Sequence, residues 1–455
     1  MSAIPVIAIF DVGKTNKKLF LFDEDYHVVF EKSARFIETV DEDGFPCENV
    51  KSLRRSVFDS LKEIFSLNKF QIKAVNFSAY GASLVYVNED GKPVAPIYNY
   101  LKPYPEELEK EFYLKYGGEE QFSVQTASPA LASLNSGLQL YRLKLEQPDV
   151  FNQVKFALHL PQYLSFLLTG KFYSEMTSIG CHTAMWNFEK KKYHEWIQKE
   201  ELEIKLAPIV STDLVSSVLF QGIKYKAGLG LHDSSSALIP YLMSFNEPFI
   251  LISTGTWCVS MNPFNHSPLT VQQLKDDCLN YIQYLGKPVM ASRLFLGYEH
   301  EQQVKRIAKY FNQDIIKYRN LIFDPEIIKH LQTLNIRLPD PGNWKILPFT
   351  KRDLSDFNND EQAYHQLMLD LVDMQVYAVK LINNETPVKR IFVDGGFSKN
   401  NTYMDLLAMA FPATEVFAAS MAQAAALGAA LLIHKEWNSK AISKEIIELR
   451  KYDVL

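Results

Sequence analysis

The feature that most constrains the fold is a pattern of strand, glycine-bearing turn and strand that occurs twice. Near the N-terminus, the apolar residues 6–10 and 19–22 flank the polar turn Asp11–Lys17. Close to residue 250, the apolar segment Pro248–Ile252 precedes the polar turn Ser253–Thr256 and another apolar segment. Short apolar runs on either side of such turns predict buried strands joined as hairpins. The recurrence therefore predicts two α/β halves that begin in the same way, although the two copies share few identical residues.

The length of the chain points to two domains. Its 455 residues are more than one hydrophobic core usually serves. We expect an N-terminal domain over residues 1–240 and a C-terminal domain over residues 241–455. The other predicted elements are a helix over 50–67, a strand over 74–77, mainly helical residues 104–170 with a helix at 160–170, a strand over 390–393, and helices over 400–410 and 420–434. Two α/β domains of this kind would place their turns around one cleft.

Composition excludes several classes of protein. The formal net charge of -5 provides no basic field for a nucleic-acid backbone. No apolar run reaches the roughly 18 residues that suggest a membrane-spanning helix, and the N-terminus lacks the basic region and cleavage site of a signal peptide. The four cysteines are scattered, without a metal-ligand spacing, at Cys47, Cys181, Cys258 and Cys278. This pattern suits a reducing cytosol and argues against structural zinc, so we expect a cytoplasmic protein without membrane or nucleic-acid partners.

The first turn has the composition of an anion-binding hairpin. Its candidate phosphate contacts are Gly13, Lys14, Thr15, Asn16 and Lys17. Glycine lets a phosphate approach the backbone, and lysine adds positive charge, whereas Asp11 suits a hydrated Mg²⁺ ion. A P-loop is excluded because Ala8 stands where that motif requires glycine, and because a strand rather than a helix is predicted to follow. Taken alone, the segment could equally be an ordinary hairpin.

An aspartate followed by three serines, Asp233–Ser236, predicts the start of a helix. The commoner role of such an aspartate is to cap the helix N-terminus. The functional alternative is a general base that accepts a proton from a sugar hydroxyl. The neighbouring His232 could bind the sugar, but the residues alone favour an ordinary core histidine.

Two further turns lie in the second half of the chain. Candidate phosphate contacts there are Thr254, Gly255 and Thr256, and candidate adenosine contacts are Gly395, Gly396, Ser398 and Asn400. A glycine pair offers a flat surface for an adenine ring, although such a pair more often only connects a strand to a helix. The small residues of Ala422–Leu431 favour close helix packing.

In order and spacing, these motifs resemble the FGGY family of carbohydrate kinases, within the larger group of sugar kinases, actin and Hsp70-type ATPases. The matching segments are Asp11–Thr15 for the first phosphate motif, His232–Asp233 for the catalytic segment, Ser253–Trp257 for the second phosphate motif, and Asp394–Asn400 with Ala425–Ala430 for the adenosine motif. The resemblance implies an α/β fold of two RNase H-like domains around an interdomain ATP and sugar cleft. It also implies ATP and Mg²⁺ as cofactors, Asp233 as the catalytic base, Asp11 and Asp233 as metal ligands, and it allows a homodimer.

Within that family, the local motifs are most similar to the rhamnulokinase branch. The resemblance implies an ATP contact at Gln302 and substrate contacts at Gly81, Ala82, Ser83, Asn99, Tyr100, His232 and Asp233. The branch has an aspartate at the place of Ser83, an Arg-Asp pair at Asn99-Tyr100 and an asparagine at Leu294. Because this chain has other side chains at these positions, we expect it to bind a different sugar, or a different stereoisomer, from that branch.

The expected activity is ATP-dependent phosphorylation of a primary hydroxyl of a small ketose. L-Rhamnulose and L-fuculose come first, and xylulose, ribulose, glycerol and other polyols are the alternatives. An actin- or Hsp70-like ATPase that controls a protein partner would share the nucleotide motifs, but a sugar would not stimulate it. An inactive sugar sensor would be expected to lack Asp11 or Asp233, and both are present.

Overall fold

The computed structural model describes residues 3–14, 16–34, 38–319, 321–334, 346–420, 423–443 and 445–453. Contacts within the chain define two units. Unit 1 comprises Met1–Ser244, Asn280–Pro288 and Gln423–Ile446, and unit 2 comprises Phe245–Leu279, Val289–Ala422 and Ile447–Leu455. The described helices include none that combines the length and apolar character needed to cross a membrane.

Unit 1 contains a main sheet and several smaller strand pairs. Its strands are β1 (Ile4–Val12), β2 (Lys17–Asp23), β3 (Val28–Ala34), β4 (Glu38–Val40), β5 (Pro46–Glu48), β6 (Phe70–Ala79), β7 (Leu84–Val87), β8 (Phe156–His159), β9 (Trp186–Asn187), β10 (Lys192–Tyr193), β11 (Val215–Phe220), β12 (Ile223–Gly228) and β13 (Leu231–His232). Its helices before residue 245 are α1 (Val50–Ser66), α2 (Glu106–Lys115), α3 (Glu119–Thr126), α4 (Ser136–Glu146), α5 (Pro148–Gln153), α6 (Leu160–Thr169), α7 (Met176–Ile179), α8 (Glu195–Lys199), α9 (Asp233–Ala237) and α10 (Ile239–Ser244).

Unit 2 is built around a second sheet. Its strands are β14 (Phe249–Thr254), β15 (Cys258–Asn262), β16 (Cys278–Ile282), β17 (Pro288–Leu294), β18 (Arg390–Gly395), β19 (Glu415–Ala419) and β20 (Leu449–Tyr452), where β16 and β17 run into the segment assigned to unit 1. Its helices are α11 (Val271–Lys275), α12 (Leu296–Tyr310), α13 (Pro325–Thr333), α14 (Asp360–Asn383) and α15 (Asn401–Ala410). The last helix, α16 (Ala424–Leu432), belongs to unit 1.

The two sheets share the order and direction of their inner strands. The path β3-β2-β1-β6-β12 in unit 1 corresponds to β17-β15-β14-β18-β19 in unit 2. In both paths the first three strands are antiparallel and the last three are parallel. The hairpins close at equivalent places, where Val12 faces Lys17 and Thr254 faces Cys258. The predicted recurrence of strand, turn and strand is therefore confirmed.

Local sequence accounts for the first helix and its packing. The Asn49 side chain accepts the amide N–H of Ser52 at 3.0 Å, which satisfies one of the open donors at the start of α1. Apolar side chains then recur at helical spacing and pack into the core beside β1 and β6: Val50, Leu53, Val57, Leu61 and Ile64. The helix predicted over residues 50–67 is confirmed.

Two other predicted helices show what ends a helix in this chain. The predicted helix over 160–170 is α6, and Gly170 ends it in a left-handed conformation with φ 66°, which glycine adopts at little cost. The helix predicted over 420–434 is shorter, because α16 begins at Ala424 and residues 421 and 422 lie outside the described ranges.

Candidate active site

Asp11 lies near the end of β1, the central strand of the sheet in unit 1. The pairing register places it opposite Lys18 on β2 and Ser78 on β6. Burial, followed by the negative charge of Asp233, raises the pKa of Asp11 to about 7, while the neighbouring Ser78 and the charge of Lys18 act in the opposite direction. The two carboxylates are therefore near enough to repel each other when both are ionised.

Asp233 is the first residue of α9, and one oxygen of its carboxylate is held by its neighbour. Oδ1 accepts hydrogen bonds from the amide of Ser234 at 2.6 Å and from its hydroxyl at 3.2 Å. Burial raises the pKa of Asp233 to about 6, although 33% of its side chain remains exposed. The cap residue of α9 is His232, without a side-chain capping bond. Asp233 is therefore not the N-cap residue that the residues alone favoured, but the first residue of α9, where its carboxylate still accepts a first-turn amide.

His232 is a buried histidine, as the residues alone favoured, but its ring contacts the candidate base. Its Nε2 lies 2.9 Å from Cys181 Sγ and 3.1 Å from Asp233 Oδ1, and its Nδ1 lies 3.1 Å from Ser235 Oγ. Burial lowers the pKa of His232 to about 3, so the ring is neutral. The backbone amide of His232 donates to Thr177 Oγ1 at 3.0 Å.

Glu175 holds the start of α7, which in turn contacts the backbone of His232. The sequence did not predict a role for this glutamate. Its fully buried carboxylate accepts the amide N–H groups of Thr177 and Ser178 at 2.8 and 2.7 Å, and the Thr177 hydroxyl at 2.7 Å. The same hydroxyl oxygen accepts the His232 amide. A single glutamate before a short helix carries no sequence signal that would link it to a residue more than fifty positions away.

Gly81 gives the imidazole its space. A Cβ atom at this position would lie 2.8 Å from Cys181 Sγ and 3.3 Å from His232 Cδ2, so a side chain would displace the Cys181 thiol and crowd the ring. The next residues, Ala82 and Ser83, are buried, and the Ala82 carbonyl accepts Gln139 Nε2 at 2.9 Å. The structure thus brings the predicted substrate residue Gly81 into contact with His232.

Helix α16 fixes the position of α9. A Cβ atom on Gly428 would lie 1.9 Å from the carbonyl oxygen of Ser236, so the two helices approach as closely as their backbones allow. The Ser236 hydroxyl donates to the carbonyl of Ala425 at 2.6 Å, and Asn76 Nδ2 donates to the carbonyl of Ala429 at 2.8 Å. The close packing predicted for this small-residue segment is confirmed, and it determines where the helix that begins at Asp233 lies.

The two lysines of the first turn share a carboxylate that the sequence analysis did not identify. Lys17 Nζ is buried 3.0 Å from Glu48 Oε2, and Lys14 Nζ lies 3.7 Å from Glu48 Oε1. The Tyr80 hydroxyl also donates to Glu48, at 2.7 Å. Lys14 Nζ lies 5.6 and 5.4 Å from the ring centroids of Tyr80 and Tyr100, at cation–π distance. Glu48 therefore offsets part of the basic character predicted for the turn.

The glycine amides of both hairpin turns are engaged within the turns. The amide of Gly13 donates to the carbonyl of Asn16 at 2.9 Å, and the amide of Gly255 donates to the carbonyl of Trp257 at 2.9 Å. These two glycines would therefore offer a phosphate the space left by a missing side chain, whereas N–H donors would have to come from other residues of the turns. Thr15, a predicted phosphate contact, lies outside the described residues.

Asn99 and Tyr100 have different environments although they are adjacent. The side chain of Asn99 donates to the carbonyl of Pro46 at 3.1 Å and accepts the amide of Leu101 at 3.0 Å, so both ends of its amide hold the loop. The pKa of Tyr100 is raised first by burial and then by the charges of Asp233 and Glu48. Tyr100 is therefore the member of this pair that lies near the candidate base.

In unit 2, hydrogen bonds connect the second candidate phosphate turn to the glycine pair Gly395–Gly396. The Thr254 hydroxyl donates to the carbonyl of Asp394 at 2.5 Å and accepts the amide of Phe397 at 3.0 Å, and the Gly396 amide donates to the Thr254 carbonyl at 2.8 Å. Gly395 has φ 92°, and a Cβ atom there would lie 1.9 Å from the Thr254 carbonyl oxygen. Only glycine fits this conformation and this approach.

The remaining predicted nucleotide residues lie near these two connected turns. The amide of Tyr298 donates to the carbonyl of Thr256 at 3.2 Å, and Gln302 is half-buried on the same helix, α12. The Ser398 hydroxyl donates to the carbonyl of Gly395 at 2.8 Å. Asn400 caps α15 by accepting the amide of Tyr403, and its Nδ2 donates to the Tyr364 hydroxyl at 2.7 Å.

The residues that the structure describes include no group of three or more histidine, cysteine, aspartate or glutamate side chains arranged to hold a metal ion. Asp11 and Asp233 supply two carboxylates, which is fewer than the three side chains of such a group.

Comparison with known proteins identifies the family. The family model "FGGY family of carbohydrate kinases, N-terminal domain" matches residues 6–232, and "Carbohydrate kinase FGGY, C-terminal domain" matches residues 246–441. The chain belongs to the FGGY family of carbohydrate kinases. The family assignment made from the motifs is thereby confirmed.

Individual relatives of this FGGY chain are distant in sequence. A rhamnulokinase from Halalkalibacterium halodurans is 24% identical over 276 residues, which cover 58% of this chain and 58% of the relative. A xylulose kinase from Lactococcus lactis subsp. lactis is 27% identical over 261 residues, covering 54% of this chain and 51% of the relative. The matches thus span little more than half the length of these curated relatives.

Solved structures confirm the fold. A carbohydrate kinase from Novosphingobium aromaticivorans superposes with a TM-score of 0.81 at 23% identity, covering 100% of this chain and 95% of that chain. A ligand-bound xylulose kinase from Lactobacillus acidophilus gives a TM-score of 0.76 at 16% identity, covering 99% and 94%. The FGGY chain therefore has the two-domain α/β fold of sugar kinases, of the actin and Hsp70 type.

Proposed function

We propose that this FGGY-family protein transfers the γ-phosphoryl group of ATP to a primary hydroxyl of a small sugar. The observation that supports this most is the setting of Asp233, a partly exposed carboxylate whose pKa burial raises to about 6. A carboxylate with raised proton affinity at an accessible position is suited to general-base catalysis. The family membership supports the same assignment.

In the proposed step, Asp233 accepts the proton of the sugar hydroxyl. The sugar oxygen forms a bond to the γ-phosphorus, the bond from that phosphorus to the bridging oxygen breaks, and ADP leaves. Phosphoryl transfer depends mainly on positioning and on neutralisation of charge. The positioning of Asp233 comes from Ser234 on its own helix and from the close packing of α9 against Gly428.

Asp11 and Asp233 fit a magnesium ion, because the charge of Asp233 raises the pKa of Asp11 and a cation would relieve that repulsion. Mg²⁺ commonly takes one or two carboxylates and completes its coordination with water and phosphate oxygens. When bound, it would neutralise negative charge on the phosphates. We assign Asp11 as its main protein ligand, with Asp233 contributing.

We assign the nucleotide contacts to the turn residues of each unit. In unit 1 they are Gly13, Lys14, Thr15, Asn16 and Lys17, and in unit 2 they are Thr254, Gly255, Thr256, Gln302, Gly395, Gly396, Ser398 and Asn400. The bonds of Thr254 to Asp394 and Phe397 support a positioning role for its hydroxyl. The bonds of Asn400 to Tyr403 and Tyr364 support the same for its side chain.

The proposed substrate is a small ketose, with L-rhamnulose and L-fuculose first and xylulose, ribulose or glycerol as alternatives. Rhamnulokinases and a xylulose kinase are among the relatives, which supports a ketose. We place Gly81, Ala82, Ser83, Tyr100 and His232 at the sugar. Asn99 would act through the loop, because its amide is engaged with Pro46 and Leu101. We also propose a cytoplasmic location for the protein.

A substrate panel tests this proposal. The measurement is ATP-dependent ADP release in the presence of each ketose and polyol, with the Asp233→Asn variant as the matched control. We expect one sugar to raise ADP release far above the rate without sugar, and the product to carry phosphate on a primary hydroxyl. ATP hydrolysis that no sugar in the panel stimulates would contradict the proposal and favour a partner-controlled ATPase.

A further inference from the structure

Two turns of unit 1 that reach the ring of His232 each contain a residue with a strained backbone. Ala82 has φ 61° and directly follows Gly81, whose missing side chain gives the imidazole its space. His182 has φ 49° and directly follows Cys181, whose Sγ lies 2.9 Å from His232 Nε2. A residue with a Cβ atom enters this left-handed region only at a cost, so the surrounding structure has to hold both turns.

The beginning of helix α4 holds both turns. Gln139 Nε2 donates to the carbonyl oxygen of Ala82 at 2.9 Å. The amide of Ser136, the first residue of α4, donates to the carbonyl oxygen of His182 at 2.9 Å. Both turns are therefore bound to one short stretch of helix, and in each turn the bond is made to the residue with positive φ.

The hydrogen bonds of Gln139 determine which end of its amide faces the Ala82 turn. Nε2 carries two hydrogens, and it also donates to the carbonyl oxygen of Ser133 at 2.6 Å. Carbonyl oxygens can only accept, so the opposite orientation would set the amide oxygen against two other oxygens. Gln139 is buried, with 6% of its surface exposed, so removal of the amide would take a buried donor away from both carbonyls. The side chain is therefore a double donor, and one of its bonds goes to the left-handed residue beside Gly81.

We propose that Gln139 is a positioning residue for sugar binding, which holds Ala82 in its left-handed conformation and so keeps Gly81 against His232. This inference rests on the proposed sugar contacts of Gly81 and His232. Without the donor, the Ala82 turn can relax towards the ordinary backbone conformations of alanine, and Gly81 would move with it. Sugar binding would then weaken because Gly81 and His232 no longer keep their spacing, whereas the hydrogen bonds of Asp233 lie on its own helix and stay.

The first test reads the backbone of Ala82 directly. Carbon-13 chemical shifts of its Cα and Cβ atoms report the backbone conformation, and the Ala82→Gly variant assigns the signal in protein labelled at alanine. We expect left-handed values in the wild type and a move towards ordinary values in Gln139→Met, which keeps the length of the side chain and removes its donors. Ordinary values in the wild type, or an unchanged Ala82 signal in Gln139→Met, would overturn the proposal independently of the sugar. If that variant does not fold, Gln139→Asn, which withdraws the amide by one methylene, gives the same comparison.

The second test separates sugar binding from catalysis. Gln139→Met should raise the KM for the best sugar of the panel by about tenfold, the equivalent of one good hydrogen bond. The kcat and the KM for ATP should stay within about twofold, since no group proposed to touch ATP or to accept the proton is removed. Ala82→Gly added to this variant should lower the sugar KM again, because glycine adopts a positive φ at little cost. Ala82→Gly alone should leave the sugar KM within about twofold of the wild-type value.

A buried glutamine of unit 2 provides the matched control. Gln375 donates from Nε2 to Ser260 Oγ at 2.7 Å. Gln375→Met should lower thermal stability without changing the sugar KM or the Ala82 signal. A Gln139→Met protein that loses only stability and keeps its sugar KM would overturn the proposal, as would a raised sugar KM that Ala82→Gly does not lower. If no sugar supports turnover in the wild type, the proposed function fails, whereas the Ala82 signal still decides whether Gln139 holds the turn.

Discussion

The hairpin β1–β2 of unit 1 and the hairpin β14–β15 of unit 2 occupy the same place in their sheets but carry different chemistry. Asp11 on β1 pairs with Ser78 on the neighbouring parallel strand, whereas Ser253 on β14 pairs with Asp394. The acid and the hydroxyl have therefore exchanged strands between the two units. The repeated pair of strands therefore fixes where a side chain lies in each unit, and the residue type at that position determines its chemistry.

The surroundings of the two acids differ as well. Asp11 lies near a second carboxylate, Asp233, which raises its pKa. Asp394 is buried and accepts the amide of Gly395 at 2.7 Å, and its backbone carbonyl accepts the Thr254 hydroxyl. Unit 1 thus concentrates negative charge suited to a metal ion and a proton. In unit 2 the carboxylate of Asp394 accepts the next amide, and its backbone carbonyl joins the two turns.

The largest difference between the hairpins should follow from removing the side chains at their equivalent positions. We expect Asp11→Asn to lower kcat by roughly 10²–10³, the usual loss for one group that stabilises transition-state charge, and to raise the Mg²⁺ concentration needed for half-maximal rate. Ser253→Ala should cost about fivefold or less, as for one neutral hydrogen bond. Magnesium titrations of sugar-dependent ADP release measure both. Equal losses in the two variants would contradict the division of roles.

Substitution of Gly428 and Gly395, each of which approaches a backbone carbonyl closely, should change both thermal stability and the kinetic constants, but in different ways. Gly428→Ala would push a Cβ to 1.9 Å from the Ser236 carbonyl and displace α9, so we expect a lower Tm and a reduced kcat. Gly395→Ala meets the Thr254 carbonyl at the same distance and also strains φ, so we expect about 2–4 kcal/mol lower stability with a raised KM for ATP. Thermal unfolding with ligand-dependent kinetics measures these effects.

Gly396 provides the matched comparison for Gly395. Its nearest atom to a hypothetical Cβ is 3.8 Å away, an ordinary contact, so Gly396→Ala should leave Tm close to that of the wild type. A Tm loss equal to that of Gly395→Ala would show that the close approach is not what requires glycine there.

The smallest change in kinetics should come from removing the charge of Lys14. The turn between β14 and β15 has Gly255 and Thr256 and no lysine. We expect Lys14→Ala to raise the KM for ATP by about two- to fivefold, because Glu48 already offsets part of the charge. The effect should shrink at higher ionic strength. Initial rates over ATP concentration, at low and high salt, measure it. An unchanged KM at low salt would make Lys14 a structural partner of Tyr80 and Tyr100 only.

Much of this architecture could be predicted from the sequence because it depends on local patterns. The apolar spacing after Asn49 predicts α1, and glycine turns between apolar runs predict both hairpins. The candidate carboxylate Asp11 follows from its position beside the first turn, and Asp233 from the segment Asp233–Ser236 that predicts the start of a helix. Contacts between distant segments could not be predicted in the same way. Nothing in the residues around Glu48 indicates that it pairs with the lysines of the first turn.

The polar network around His232 shows the same limit. Glu175 and Ser235 act through hydrogen bonds whose partners are brought near by folding, including the Ile282 carbonyl from a later segment of unit 1. Asn400 was predicted as a nucleotide contact because of its motif, yet its side chain also caps α15. Residue type alone does not distinguish such a cap from a ligand contact.

The turnover of Asp233→Asn with the best sugar of the panel tests directly whether Asp233 is the catalytic base. The substitution keeps the shape of the side chain but removes its ability to accept a proton as a base. We predict that ATP still binds with a similar dissociation constant, while kcat falls by roughly 10²–10⁴, the usual contribution of a general base. Near-normal turnover in a variant that binds ATP normally would contradict the assignment of Asp233 as the catalytic base.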